Sequence, residues 1–266
     1  ANSAHNFNGL IRINSSSTEI KELALNIGGI DFTGEGITYK TNGAAPQLRF
    51  KASASGIKIQ NFYKAADPNA PQAYGNIDLA LNGITIMDNF VLQRGLNARG
   101  TIKPQNISID RFNLLWLIIS KMQAIPKMPE NLIQWLPPQY QQGAQASNTR
   151  ISSGIIPVEI NGPRVSFPVI RLISNGIEIR GYGWLDRYGS GRFDCELFLD
   201  TEVSQALVAA NPYLKSVLNP YGQLTLPILI TQTQGRWKII PNINFIVSEF
   251  TKNFGQQILG DVLGAI

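Results

Sequence analysis

Apolar and polar residues alternate along most of this chain, most clearly between Gly154 and Leu199. There Ile156, Val158 and Ile160 alternate with Pro157, Glu159 and Asn161. Ile177 and Ile179 alternate with Glu178 and Arg180, and Phe193, Cys195, Leu197 and Leu199 with Asp194, Glu196 and Phe198. Val165 and Phe167, then Val169 and Ile173, lie between the first two runs. A period of two puts every second side chain on one face of an extended strand, so each run reads as a strand with one dry and one wet face. The breaks are Asn161-Gly162-Pro163, Ser174-Asn175-Gly176 and Tyr188-Gly189-Ser190-Gly191. Asn-Gly tolerates the positive φ that tight hairpins need. The stretch is expected to be an antiparallel meander of four strands. Thr201 to Leu218 then suits a helix interrupted at Asn211-Pro212.

The same order of elements is read near the start. After a lead-in over Ala1 to Asn8 come strands at Gly9 to Ile13, at Ile20 to Ile27 through Leu23 and Leu25, at Ile30 to Tyr39, and at Leu48 to Ala54 through Phe50. A helical or irregular piece is expected from Ile57 to Ala66. Gly75 to Lys103 reads as a shorter copy: Ile77, Leu79 and Leu81, a turn at Asn82-Gly83, then Ile84 and Ile86. Asp110 is the expected N-cap of a helix carrying Phe112, Leu114, Leu115, Trp116, Leu117, Ile118, Ile119 and Met122. That run is apolar nearly all round and falls short of the ~20 residues that span a bilayer, so it must be buried or lie on an apolar surface. Pro126, Pro129, Pro137 and Pro138 break the next segment, whose apolar knuckle is Leu132, Ile133, Trp135 and Leu136, and Gln141 to Asn148 reads as a polar link. Leu224, Leu226, Ile228 and Ile230 form a closing strand, with Trp237 and Ile239 in its partner. From Asn244, Ile246, Phe250, Phe254, Ile258 and Val262 recur at spacing four, the mark of an amphipathic helix packed over the sheet. The expected fold is mainly β: a curved, twisted antiparallel sheet in one elongated domain over 1–266. It is built from meander-plus-helix units at about 9–66, 74–125 and 154–218, closed by strands and a helix over 221–266.

Composition narrows the function classes. Charged residues are 15% of the 266 and hydrophobic residues 44%, a balance that folds rather than disorders. The net charge of +5 comes from 23 basic and 18 acidic residues that are scattered, so nucleic acid is not indicated, while weak attraction to an anionic membrane surface stays open. Cys195 is the single cysteine and reads as a small buried hydrophobe. The one histidine, His5, lies near the start of the chain, away from any nucleophile it could serve, and one Cys with one His is too few for zinc. No phosphate-binding GxxxxGK[ST] loop occurs. Asp194 and Glu196 share the wet face of a strand, where solvated carboxylates are the ordinary state. Asn14-Ser15-Ser16 and Asn106-Ile107-Ser108 match glycosylation acceptors with no secretory context beside them. Neither catalysis nor a cofactor is expected.

What stands out is apolar strand surface in excess of charge. A sheet with one dry face must cover it. If it curls, the uncovered part becomes a trough suited to acyl chains, whose burial gains about 0.8 kcal/mol per CH₂ without directional contacts. An ordinary packed core accounts for the same pattern equally well. The candidate lining is Leu23, Leu25, Leu48, Phe50, Ile156, Val158, Ile160, Val165, Phe167, Ile177, Ile179, Phe193, Leu197 and Leu199.

The early stretch GLIRIN to GGIDFTGEGITY and the late stretch SNGIEIRGYGWLD to GRFDCELFLD resemble the C-terminal region of the AsmA-like family of bacterial envelope proteins, which includes TamB-type and YhdP-type members. The matching positions are Gly154-Ile155-Ile156, Gly176-Ile177-Glu178-Ile179-Arg180-Gly181 and Leu199-Asp200, with Tyr221 to Leu224, Pro227, Trp237 and Pro241 in the closing strands. The Pro-rich insert from Pro126 to Pro138 departs from the family pattern. The resemblance implies a periplasmic β-groove, its full-length protein held in the inner membrane by an N-terminal helix that this sequence does not contain. It implies phospholipid or another acyl-chain lipid, the membrane surface and envelope proteins as partners. It also implies a role in phospholipid transport to, or integrity of, the outer membrane. A scaffold that offers strand edges for outer-membrane protein assembly is the competing expectation.

Overall fold

A computed structural model of the chain describes residues 4–27, 30–39, 46–61, 71–86, 96–123, 125, 127–233, 236–242, 245 and 248. Within them, alternating sequence becomes thirteen strands of one antiparallel sheet. These are β1 (Ala4–Ile13), β2 (Ser17–Ile27), β3 (Ile30–Tyr39), β4 (Gln47–Lys58), β5 (Gln72–Ile86), β6 (Asn97–Asp110), β7 (Asn148–Gly154), β8 (Ile156–Asn161), β9 (Arg164–Ser174), β10 (Ile177–Asp186), β11 (Gly191–Leu199), β12 (Thr225–Thr233) and β13 (Arg236–Pro241). β7 and β8 share one lane between β6 and β9. The pairs Asp110–Asn148, Ile107–Ile151, Ile102–Ile156 and Asn97–Asn161 keep a single register across Ile155. Every lane thus lies beside its neighbours in sequence, an up-and-down path without crossovers. The turns expected at Asn161-Gly162, Asn175-Gly176 and Gly189 are present, with φ of 55°, 73° and 81° at their glycines.

Two insertions carry the helices. Between β6 and β7 lie α1 (Leu114–Met122), a 3-10 turn at Leu132–Trp135, and α2 (Pro138–Gln145); between β11 and β12 lie α3 (Thr201–Ala210) and a 3-10 turn at Pro212–Val217. Asn113 starts α1: its Oδ1 accepts from the Trp116 N–H at 2.8 Å, and its Nδ2 donates to the carbonyls of Gly143 at 2.8 Å and Ala146 at 2.6 Å. One side chain therefore caps α1 and fastens the end of α2. Buried Thr149 ties the insertion to β7, donating to the Phe112 carbonyl and accepting from the Leu114 N–H, both at 2.8 Å. Asp200 caps α3 by accepting from the Val203 N–H at 2.9 Å, and also accepts from the Tyr140 hydroxyl on α2. Burial, then that carboxylate, holds the Tyr140 phenol well above its usual range. Ser204 Oγ donates to the Leu199 carbonyl and accepts from the Leu224 N–H at 2.9 Å.

The polar stitches hold the helices over one patch of sheet. Leu114, Leu115, Ile118, Ile119 and Met122 of α1, Leu132 and Leu136, Val203 and Leu207 of α3, and Leu214 pack on Ile177, Cys195, Leu197, Leu199, Leu226 and Ile228. Each such side chain, fully buried, contributes roughly 1.5–3 kcal/mol. The run from Phe112 to Met122 is therefore chiefly a core helix.

Four expectations are corrected. Asp110 is the last residue of β6 and does not cap α1, because Asn113 has the side-chain bond to the first turn. Asn82-Gly83 is not a turn: β5 runs through it, with Gly83 between Phe50 and Ala98 on adjacent strands. The lead-in is already strand from Ala4, paired with β2. Most of the Gln141 to Asn148 link is α2, which Pro138 opens from its first turn. The amphipathic helix expected from Asn244 lies outside the described residues, save Phe245 and Ser248, as does the stretch 62–66.

Replacing Asn113 with alanine removes a cap and the side-chain amide that donates to the carbonyls of Gly143, Ala144 and Ala146. It should lower unfolding free energy by about 1–3 kcal/mol, read from urea denaturation, whereas alanine at exposed Gln142 should change it little.

Candidate functional site: the dry face of the sheet

Residues directly opposed on antiparallel strands share a face. One row runs Leu23–Gly34–Ala52–Leu81–Gly100–Val158 across β2 to β8. The next runs Gly36–Phe50–Gly83–Ala98–Ile160–Val165–Leu185 across β3 to β10. Stepping by two along β10 leads to Ile179, opposite Leu197, which is opposite Leu226. A single apolar face thus extends from β2 to β12.

Its cover is uneven. Beneath the helices Leu197 is 0% exposed, Leu199 1% and Ile177 3%. Those three candidate lining residues are core, and Ile179 and Phe193 pack at the core's rim. Across β2 to β9 the pattern is the same but the burial is not: Leu23, Leu48, Phe50, Ile156, Ile160, Val165 and Phe167 are half-buried, as are Phe32, Leu81 and Ile102. Val158 is buried, as are Ala54, Ile57, Ala98 and Ile170 on the same side of the sheet, and Leu25 pairs with Phe32 in the register. Among the described residues, the cluster beneath the helices takes nothing from β1 to β9.

Glycine shapes this face. Gly34, Gly36, Gly83, Gly100, Gly181 and Gly183 all fall on it, in mid-strand. Interior glycine weakens a strand and marks places where something approaches closely. At Gly183 a Cβ would collide with the Phe193 ring. Its absence lets Phe167 and Phe193, opposite it on either side, approach to 5.5 Å between centroids, and Phe193 stands 6.0 Å from Trp237. These aromatics line the border where the helical cover ends. The glycines and Trp237 were not among the sequence candidates; the signal for the glycines was their spacing of two inside strands, at 34/36 and 181/183.

The wet face is different chemistry. A recess of about 810 Å³ crosses β2 to β6 and is lined by both kinds of position: Leu23, Gly34, Ala52, Leu81 and Gly100 of the first dry row, and wet-face residues that include Glu35, Lys51, Asn82 and Arg99. Its charges pair across strands: Lys51 with Glu35 at 2.9 Å and Arg99 with Glu159 at 3.2 Å. Arg171 and Arg180 are directly opposed, a repulsive placement that Glu178 relieves by accepting from both, Arg180 at 2.7 Å. Arg180, then Arg171, holds the Glu178 carboxyl below its ordinary value against the opposing effect of burial. Asp194 is likewise bound, to Arg192 at 2.7 Å, and lowered by it. Burial pushes the Cys195 thiol up to about 11, far from a nucleophile's range. Among the described residues no three or more His, Cys, Asp or Glu gather as a metal site, and no helix is long and apolar enough to cross a membrane. What remains is extended apolar area, which binds by surface rather than by direction.

Two outcomes are expected. Gly183→Leu should lower stability by about 1–3 kcal/mol, through overpacking against Phe193, and shift Trp237 emission. Glu178, its folded pKa depressed below 4.5, stabilises above pH 4.5 and loses that contribution as pH falls through the folded value, so Glu178→Gln should show a shallower acid slope in melts taken below pH 4.5. No family model, curated protein or solved structure matches this chain.

Proposed function

We propose that this chain is a non-enzymatic lipid-holding module that carries acyl chains on the dry face of its sheet. The observation that supports it most is the contrast along one face: sealed at Leu197 and Leu199, and only half-buried at Leu23, Phe50, Leu81, Ile160 and Phe167. Leu, Ile and Phe beside mid-strand glycines offer a low apolar bed, and each CH₂ laid on it gains about 0.8 kcal/mol at full burial. On the resemblance to AsmA-like proteins, the setting is the bacterial periplasm and the cargo a phospholipid bound for the outer membrane. The second reading, a strand-edge scaffold for envelope proteins, is favoured by one feature: edge strand β1 exposes Leu10, Ile11 and Ile13, the last at 71%.

Mass spectrometry of the denatured protein should find co-purified phospholipid, and the emptied protein should take up a fluorescent fatty acid. Leu81→Asp on the dry face should weaken that uptake roughly tenfold or more, while Asn82→Asp, one residue away on the wet face, should leave it near wild type. Absence of both lipid and uptake defeats the reading. Capture of an envelope protein that is lost with Ile11→Pro, and not with Leu81→Asp, would favour the scaffold.

A further inference from the structure

We infer that the outer surface of the helical insertion between β6 and β7 docks on an anionic phospholipid bilayer, with Trp116 and Trp135 as its anchors. Trp116 faces away from the buried side of α1 and is 51% exposed; Trp135, in the 3-10 turn before α2, is 48% exposed. Indole combines an apolar body with one N–H donor, which suits the boundary between headgroups and acyl chains. The chain around them is compatible with that boundary. Residues 131–147 contain no Asp, Glu, Lys or Arg; the charge beside them is Glu202 of α3, which accepts from Gln139 at 2.7 Å. Exposed Gln134, Gln142 and Gln145 supply amides that can bond headgroups. The charges that flank this neutral stretch, within 111–147, are Arg111, Lys121 and Lys127 against Glu130, three basic to one acidic, which complements an anionic leaflet. Lys127 reaches Tyr213, its Nζ 3.3 Å from the hydroxyl, yet stays exposed.

The position gives docking a use, and that use rests on the lipid-holding reading. α1 packs on Leu197 and its neighbours, so the insertion sits on the same side of the sheet as the dry face. A bilayer touching the insertion is therefore on the side from which an acyl chain would reach Phe167 and Phe193.

The intact chain should co-sediment with vesicles of phosphatidylcholine mixed with phosphatidylglycerol, and brominated lipid in them should quench its tryptophan emission. The double variant Trp116→Ala/Trp135→Ala should bind these vesicles roughly tenfold more weakly. Lys121→Gln/Lys127→Gln should lose affinity several-fold for the mixed vesicles and nothing for phosphatidylcholine alone. Fatty-acid uptake from solution should survive in both, which also shows that they fold. A wild-type chain that stays in the supernatant unquenched, or a double tryptophan variant that binds vesicles as well as wild type, overturns the proposal. Vesicle binding that depends on the tryptophans, without fatty-acid uptake by the wild type, supports docking and removes the lipid-holding reading instead.

Discussion

An antiparallel sheet with strict two-residue alternation must put all its apolar side chains on one side, and that side needs cover. This constraint organises the molecule. The meander adds a lane at a time without crossovers, so among the described residues no strand folds back to pack a second sheet against the first. Among the described residues, helical cover comes from two insertions, and both lie on β10 to β12. The result is uneven burial along a single face: complete at Leu197 and Leu199, partial at Phe50 and Leu81, with Ile57, Ala98 and Val158 buried among the latter.

The insertions stay where they are because polar groups, as well as apolar area, hold them. Asn113, Thr149, Asp200 and Ser204 each bond two or more partners, at least one on a different element or at a helix start. Directional bonds of this kind specify one placement among the many that apolar contact alone would accept. Gly176 shows how tight the fit is: its backbone is left-handed, at φ 73°, and a Cβ there would press on the Tyr140 ring at 2.9 Å. The hairpin glycine expected from sequence as a turn former is thus also the seat of an aromatic ring from α2.

Local chemistry in the sequence was legible, and long-range chemistry was not. Asn161-Gly162 and Asn175-Gly176 announce hairpins because positive φ is a property of the residues themselves. The break of α3 at Asn211-Pro212 was readable for the same reason. Asn82-Gly83 has identical local character and sits in mid-strand, since there the glycine serves neighbours on β4 and β6 rather than a turn. Asp110 and Asn113 are both sound caps on paper; what selects Asn113 is α2, thirty residues away, whose carbonyls its amide can reach. The dry face itself was legible from alternation. Which part is core was not, because Leu197 and Leu23 carry the same pattern and differ only in what lies above them.

The two faces support each other. Cross-strand ion pairs such as Lys51–Glu35 and Arg99–Glu159 are solvent-exposed and contribute little stability apiece. Their value lies in register: a slip of one residue would carry a charge onto the dry face and an Ile or Phe into water. A broad apolar face held in register still risks association with other copies. Mid-strand glycine instead admits close packing on this face: a Cβ at Gly36 would meet Leu48 Cδ1 at 2.9 Å, one at Gly83 the Ala98 Cβ at 2.7 Å, and one at Gly100 Leu81 Cδ2 at 2.8 Å. The glycine pattern that weakens the strands is thus what lets larger neighbours fold down over the face.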